Sequence, residues 1–254
     1  MSTATDRTVG SGPTTGRIHS WDLSTGVDGP GTRFVLFVNG CPLRCLYCSN
    51  PDTWHMRDGR DTTADEVMTQ IGTYRDFLTA AGGGVTLTGG EPLLQPGFTA
   101  EVLRRCKEAG LHTALDTSGF LGTRATAALL ADTDLVLLDI KSFDVNTYRK
   151  LTGGELAPTL NFATRLDRLG VPMWIRYVLV PGWTDDMDAV DGLARFVSGL
   201  GSVDRVEVLP FHKLGAAKYE ALGIPFPLRD QPTPEPEMTE RVRARFREHG
   251  VAAY

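Results

Sequence analysis

No run in this sequence approaches the about 18 apolar residues that a membrane-spanning helix needs. Residues 1–16, MSTATDRTVGSGPTTG, lack the apolar stretch of a secretory signal and read as a polar, flexible tail, so a cytoplasmic protein is expected. Positive charge is not in excess: a net charge of −5 offers no general attraction to nucleic acid or to anionic membrane. Histidine is scarce, and His19, His55, His112 and His249 show no ligand spacing. Cysteine is scarcer still, with four in 254 residues. Three of these fall within eight positions, which is not how a secreted disulfide framework is distributed, and in a reducing compartment such a cluster points to metal.

What the chain does have is an ordinary globular composition, 41% hydrophobic and 22% charged, and a regular alternation of strand and helix patterns. Strands are expected at 32–39, 84–88, 112–117, 135–141, 173–180 and 205–211, most of them rich in Val, Leu and Ile. Helices are expected from a Thr63/Glu66 capping box through residue 81, then at 98–110, 125–131, 159–170, 187–201 and 239–250. The proline-rich segment 224–238 reads as extended. Near-continuous apolar strands separated by helices imply a parallel sheet wrapped by helices. Six strands suit an α/β fold of the partial (β/α)6 barrel type, formed by residues 17–254 as one domain.

The chemistry concentrates at CPLRCLYC, where Cys41, Cys45 and Cys48 follow the first expected strand. Structural zinc takes four ligands, and an iron–sulfur cluster is usually held by four cysteines. Three thiols leave one iron of a cluster open to a substrate or cofactor, and the C-x3-C-x2-C spacing resembles the signature of the radical S-adenosylmethionine enzymes. Zinc or incidental thiols remain the alternative. Cys106, on a helical face with Val102 and Leu103, reads as core. TGGEP (88–92) places adjacent glycines after a strand, where backbone can approach a ligand closely, or can simply turn. Asp116, Asp139 with Lys141, and His212 all fall at strand carboxyl ends, where barrel enzymes place their sites. Together they supply the donors and acceptors that a zwitterionic sulfonium nucleoside requires; solvated strand ends are the plain alternative. Arg176, inside an apolar strand, is expected to meet a carboxylate.

Taken together, these residues resemble the glycyl-radical-enzyme activating enzymes of the radical S-adenosylmethionine superfamily. The similarity runs through GRIHSW (16–21), VDGPGTRFVLFVNGCPLRCLYCSNPDTW (27–54), GGGVTLTGGEPLLQ (82–95), LDTSGF (115–120), DLVLLDIKS (134–142), WIRYVLVPGWTDD (174–186) and LPFHKLGAAKYEALG (209–223). It implies a partial barrel carrying one four-iron four-sulfur cluster on Cys41, Cys45 and Cys48, which reductively cleaves S-adenosylmethionine. The implied cofactor contacts are Tyr47, Cys48, Ser49, Gly90, the stretch Asp139, Ile140 and Lys141, and His212. Asp116, Thr117 and Asp139, with the Leu137 carbonyl, match a monovalent-cation site. Ser49 stands where histidine is usual, which removes a side-chain contact to adenine and leaves backbone contacts. The segment 55–87 contains no cysteine and hence no second cluster module, which favours the branch whose protein substrate is pyruvate formate-lyase. Flavodoxin or ferredoxin is the implied electron donor, and a monomer is expected. Asp28 of the DGPG turn is the candidate for gripping the substrate peptide, against a purely structural turn. Two rivals remain: a small-molecule enzyme of the same superfamily resembling 7-carboxy-7-deazaguanine synthase, and a non-catalytic iron–sulfur or zinc module.

Overall fold

The computed structural model describes residues 13–254, so residues 1–12 of the expected tail lie outside the described residues. Strand β1 (Thr15–Thr25) already includes Thr15 and Gly16. It is followed by β2 (Thr32–Val38), β3 (Arg60–Thr63) and helix α1 (Ala64–Ala80). The remainder alternates: β4 (Gly84–Gly89), α2 (Pro96–Glu108), β5 (His112–Thr117), α3 (Ala127–Ala131), β6 (Leu135–Asp139), α4 (Val145–Thr152), α5 (Ala157–Arg168), β7 (Met173–Leu179), α6 (Met187–Ser198) and β8 (Val203–Pro210). Helices α7 (Ala216–Ala221) and α8 (Pro236–Glu248) end the chain.

All eight strands form one sheet in the order β3-β1-β2-β4-β5-β6-β7-β8. From β2 to β8 every pairing is parallel, giving the six expected strands; β1 is antiparallel to both β2 and β3, and the sheet does not close on itself. The free edge of β8 is partly covered by the chain end, where Val206 N–H donates to Ala252 O and Val208 N–H to Tyr254 O.

Side chains on a strand alternate between faces. One row of each strand, such as Phe34, Leu36 and Val38 of β2 or Val136 and Leu138 of β6, joins the main core beneath the helices. The other row faces the concave side. At the amino ends of the strands Ala114, Leu135 and Leu137 make a small apolar floor with Trp174. Toward the carboxyl ends the same row becomes Thr88, Asp116, Asp139 and Arg176, which line a cavity. The capping box of α1 is complete: Glu66 N–H donates to Thr63 Oγ1 at 3.1 Å, and Thr63 N–H to Glu66 Oε2 at 2.7 Å. Such a cap contributes about 1 kcal/mol and fixes where the chain turns back from β3. Among the described residues no helix is long and apolar enough to cross a membrane.

Candidate active site

The cysteine loop leaves β2 and has little freedom. Gly40 N–H donates to Thr53 O at 2.7 Å and Cys41 N–H to Trp54 O at 3.0 Å, tying its start to the following 3-10 turn (Pro51–Thr53). On the other side Arg44 N–H and Leu46 N–H donate to Thr152 O and Leu151 O, the last turn of α4. The buried Asn39 side chain donates to His55 O at 3.2 Å, and Arg44 Nη1 donates to Cys41 O and Leu43 O, each at 2.7 Å. With its backbone groups committed in this way, the loop presents side chains at fixed positions.

Cys41, Cys45 and Cys48 are all free thiols lining one open-mouthed cavity. Burial pushes the Cys41 and Cys45 thiols up to about 12, so ionisation there calls for a compensating cation. Burial also raises the Cys48 thiol, and the neighbouring polar groups of Asn50 and Trp54 and the Lys141 charge only partly oppose the shift. Among the described residues no group of three or more His, Cys, Asp or Glu side chains converges as a single metal ion requires. Ligands of a multi-iron cluster bind separate irons and stand apart, so this donor set suits a cluster. Cys106 is buried in the helix-side core with its Sγ 3.8 Å from Met68 Sδ.

Gly89 and Gly90 are required by the approach of two loops. Gly89 has φ +112°, and a Cβ on Gly90 would lie 2.3 Å from Gly40 O. Gly90 N–H donates to Val38 O and Glu91 N–H to Gly40 O, so this turn is laid directly on the cysteine loop. Glu91 is fully buried: its Oε1 accepts from Thr117 Oγ1 (2.7 Å) and Leu93 N (3.1 Å), and its Oε2 from Ser118 Oγ (2.6 Å) and Ser118 N (3.1 Å). Burial raises the Glu91 carboxyl while these four donors oppose the shift.

Along the strand ends, Lys141 Nζ pairs with Asp139 Oδ2 at 2.8 Å and lies 5.7 Å from the Tyr47 ring centre. Burial works against the Lys141 ammonium, but Asp139 and its neighbours outweigh it and hold lysine well above its ordinary range. Arg176 meets its carboxylate: Nη1 donates to Asp116 Oδ2 at 3.1 Å, beside Thr88 Oγ1 at 2.6 Å. Burial nevertheless pushes the Asp116 carboxyl up to about 6, and its Oδ1 is buried without a partner. The hydroxyl of Tyr47 is likewise buried and unpartnered.

The cavity therefore brings together Cys41, Cys45, Tyr47, Cys48, Ser49, Gly90, Asp116, Thr117, Asp139, Lys141, His212 and Asp28. Ile140 is the exception. Its side chain belongs to the helix-side core and its N–H donates to Arg176 O, so only its carbonyl is free to face a cofactor. Asp28 is held from below, where its carbonyl accepts from Thr86 Oγ1 (2.7 Å), itself bonded by the fully buried Arg33 through Nε (3.0 Å). Sequence reasoning passed over Glu91 and Trp54 as site residues; an acid directly after two glycines was the only signal for the first, and a tryptophan following the cysteine loop the only signal for the second.

The radical SAM superfamily pattern matches residues 35–193. The chain is 44% identical over 237 residues to pyruvate formate-lyase 1-activating enzyme of Escherichia coli (strain K12), covering 92% of this chain and 96% of that protein. It is also 44% identical over 239 residues to pyruvate formate-lyase-activating enzyme of Staphylococcus aureus (strain USA300), covering 91% and 94%. Among solved structures, a domain of pyruvate-formate lyase-activating enzyme from Bacteroides vulgatus superposes with a TM-score of 0.58 at 26% identity, over 68% of this chain and 98% of that one.

Proposed function

Because the chain belongs to the radical S-adenosylmethionine superfamily, and within it to the pyruvate formate-lyase activating enzymes, we propose that it creates the glycyl radical of pyruvate formate-lyase by removing a hydrogen atom from a backbone glycine of that enzyme. The observation that carries this reading is the lining of one cavity by three free thiols, the Gly90 backbone and the Asp139–Lys141 pair. Family membership implies a four-iron four-sulfur cluster and S-adenosylmethionine, and Cys41, Cys45 and Cys48 are the residues that would hold the cluster. When bound, these groups supply one-electron reductive cleavage of the sulfonium to methionine and a 5′-deoxyadenosyl radical that takes the hydrogen atom.

The chain's own residues bind, orient and exclude. The Gly90 backbone offers an acceptor to the methionyl ammonium, since no side chain there holds a ligand off. Lys141, kept charged by Asp139, offers a cation to ribose oxygens or to a carboxylate, and Tyr47 and His212 offer polar edges on either side of the cavity. Ser49 is exposed in the cysteine loop and Ile140 is turned away, so both would contribute backbone groups only. Asp116 Oδ1 is an orphaned acceptor that a monovalent cation beside Asp139 would satisfy; Thr117 can add little, because its hydroxyl already donates to Glu91 and accepts from Gly119 N–H. Asp28, which lines the same cavity, would receive substrate backbone. The reading extends to a flavodoxin or ferredoxin as electron donor and to a monomer working in the cytoplasm.

Anaerobic reconstitution with iron and sulfide tests this proposal. A brown protein that bleaches with dithionite and cleaves S-adenosylmethionine to methionine and 5′-deoxyadenosine is expected. A colourless protein binding a single zinc contradicts it. Turnover of a small-molecule substrate with no protein partner would favour the small-molecule rival instead.

A further inference from the structure

Arg33 on β2 is fully buried, yet its partners are carbonyls, a hydroxyl and an imidazole rather than a carboxylate. Nε donates to Thr86 Oγ1 at 3.0 Å, Nη1 to His112 Nδ1 at 3.1 Å and to Pro30 O at 3.4 Å, and Nη2 to Val85 O at 2.6 Å and to His112 O at 3.3 Å, which uses all five N–H groups of the guanidinium. Burial and the Arg33 charge lower the His112 imidazolium, which keeps Nδ1 free to accept. Gly84 makes room for the side chain: a Cβ there would lie 2.0 Å from His112 O and 2.9 Å from Arg33 Nη1. A buried charge is costly unless it is hydrogen-bonded, and this planar fork of donors holds its acceptors in one geometry.

What it holds is the turn 26–31 between β1 and β2. Among the described residues, the one backbone hydrogen bond inside this turn is Gly26 N–H to Gly31 O, at 3.4 Å. Two of its carbonyls point to Arg33 instead. Pro30 O accepts from the guanidinium, and Asp28 O accepts at 2.7 Å from Thr86 Oγ1, the hydroxyl that Arg33 Nε holds. The chain wraps this group so closely that a Cβ on Gly29 (φ +119°) would lie 3.3 Å from Arg33 Nε. Asp28 therefore reaches the cavity from a turn whose shape is set by side chains outside it.

We propose that Arg33, acting through Thr86, is a positioning residue for the protein substrate: it fixes the 26–31 turn so that Asp28 meets the backbone around the acceptor glycine, and it has no part in cofactor cleavage. The proposal rests on the reading that the chain activates pyruvate formate-lyase and that Asp28 receives substrate backbone. The turn precedes the amino end of β2, whereas Gly90, Asp139 and Lys141, assigned to the cofactor, lie at the carboxyl ends of β4 and β6, so the two jobs are separable. A turn released from Arg33 and Thr86 would have to be ordered by the incoming peptide, and that cost falls on association. Lysine is no substitute, because an ammonium is a point charge with three donors and cannot span Thr86, Pro30 and His112 in one plane.

The test compares Arg33→Lys, Thr86→Val and Thr86→Ser in the reconstituted full-length chain. Two rates are read: glycyl-radical formation on pyruvate formate-lyase from the same organism, by electron paramagnetic resonance, and 5′-deoxyadenosine release with no partner present. Arg33→Lys and Thr86→Val should raise the pyruvate formate-lyase concentration for half-maximal radical formation about tenfold, while partner-free cleavage stays within about twofold and Thr86→Ser, which keeps the hydroxyl, matches wild type. In an Asp28→Asn background, Thr86→Val should add less than about twofold, because both changes act through one residue. Unchanged half-saturation in both variants overturns the proposal, as does a full Thr86→Val effect on top of Asp28→Asn. A parallel fall in partner-free cleavage also overturns it, since that is what a general loss of structure gives. Should Arg33→Lys fail to fold, the Thr86 pair, which keeps the buried guanidinium, decides by the same criteria. If the wild-type chain cleaves S-adenosylmethionine but never forms the glycyl radical, the functional reading fails and the proposal falls with it.

Discussion

Replacing Glu91 by glutamine changes one atom and tests how the cofactor loops are held together. The carboxylate receives four donors, two on each oxygen, from Thr117, Leu93 and both groups of Ser118. An amide keeps one oxygen with its two partners, now as neutral bonds weaker by about 1 kcal/mol each. On the other side an NH2 faces one hydroxyl, which can rotate to accept, and one backbone N–H, which cannot and is left unpaired at about 1–3 kcal/mol. The smaller cost of burying a neutral amide returns part of this, for a net loss of about 2–3 kcal/mol. For a chain of this size that lowers Tm by about 5–10 °C, and Glu91→Ala, which orphans all four donors, should lower it about twice as far. Thermal unfolding of the metal-free protein, read by circular dichroism, measures both. The same substitution loosens Thr117 and Ser118, which line the cavity, so S-adenosylmethionine affinity of the reconstituted protein should fall about tenfold. A Glu91→Gln protein within about 2 °C of wild type, or one equal to Glu91→Ala, would refute the reasoning, since the first denies that the charged bonds matter and the second that geometry survives in the amide.

Cys41→Ala, Cys45→Ala and Cys48→Ala should each abolish 5′-deoxyadenosine formation after anaerobic reconstitution, because two thiolates cannot retain the cluster, whereas Cys106→Ala should keep cluster and activity and lose only about 1 kcal/mol of stability. Gly90→Ala drives a Cβ to 2.3 Å from Gly40 O; with backbone on both sides, the cost should be about 3 kcal/mol or more in denaturant unfolding, and iron content after reconstitution should drop with it. Asp116 has its carboxyl raised to about 6 by burial. A carboxyl raised in the folded state favours the fold at low pH and loses that contribution as pH climbs from about 4 to that value. The urea-midpoint difference between wild type and Asp116→Asn should therefore move against wild type across this window in the metal-free protein, and a difference independent of pH contradicts the shift.

What the sequence disclosed, and what it withheld, follows from how each residue meets its neighbours. The parallel strands were legible because both their faces are covered, which favours apolar runs such as the unbroken 135–138 and the Val85 and Leu87 of 84–88. Strand β1 was not, because its register shifts between Ile18 and Ser20 and the inward row changes phase from the buried Gly16 and Ile18 to the half-buried Trp21 and Leu23. Strand β3, with only Arg, Asp and two Thr, carries no apolar signal at all. Helix α4 had its caps in plain view, Asp144 at the start and Gly153 at φ +74° after the end, but its eight residues are too short for periodicity to register. Within the site, thiol spacing and polar strand ends were readable one element at a time. At Ile140 strand parity, with Asp139 inward, turns the side chain outward, which leaves only its backbone carbonyl toward the cavity. Glu91 and Trp54 owe their importance to partners 26 and 27 residues away in Thr117 and Ser118, and to a helix at 216–221, which no local pattern encodes.

The central claim, that this cavity delivers a radical to a glycine within another protein, is tested most directly by electron paramagnetic resonance. Anaerobic mixtures would contain the reconstituted chain, a reductant, S-adenosylmethionine and pyruvate formate-lyase from the same organism. The account predicts a glycyl-radical doublet that disappears when the acceptor glycine is changed to alanine, and that weakens with Asp28→Asn while cofactor cleavage without the partner persists. A competent reduced cluster that cleaves S-adenosylmethionine yet never yields the doublet would contradict it.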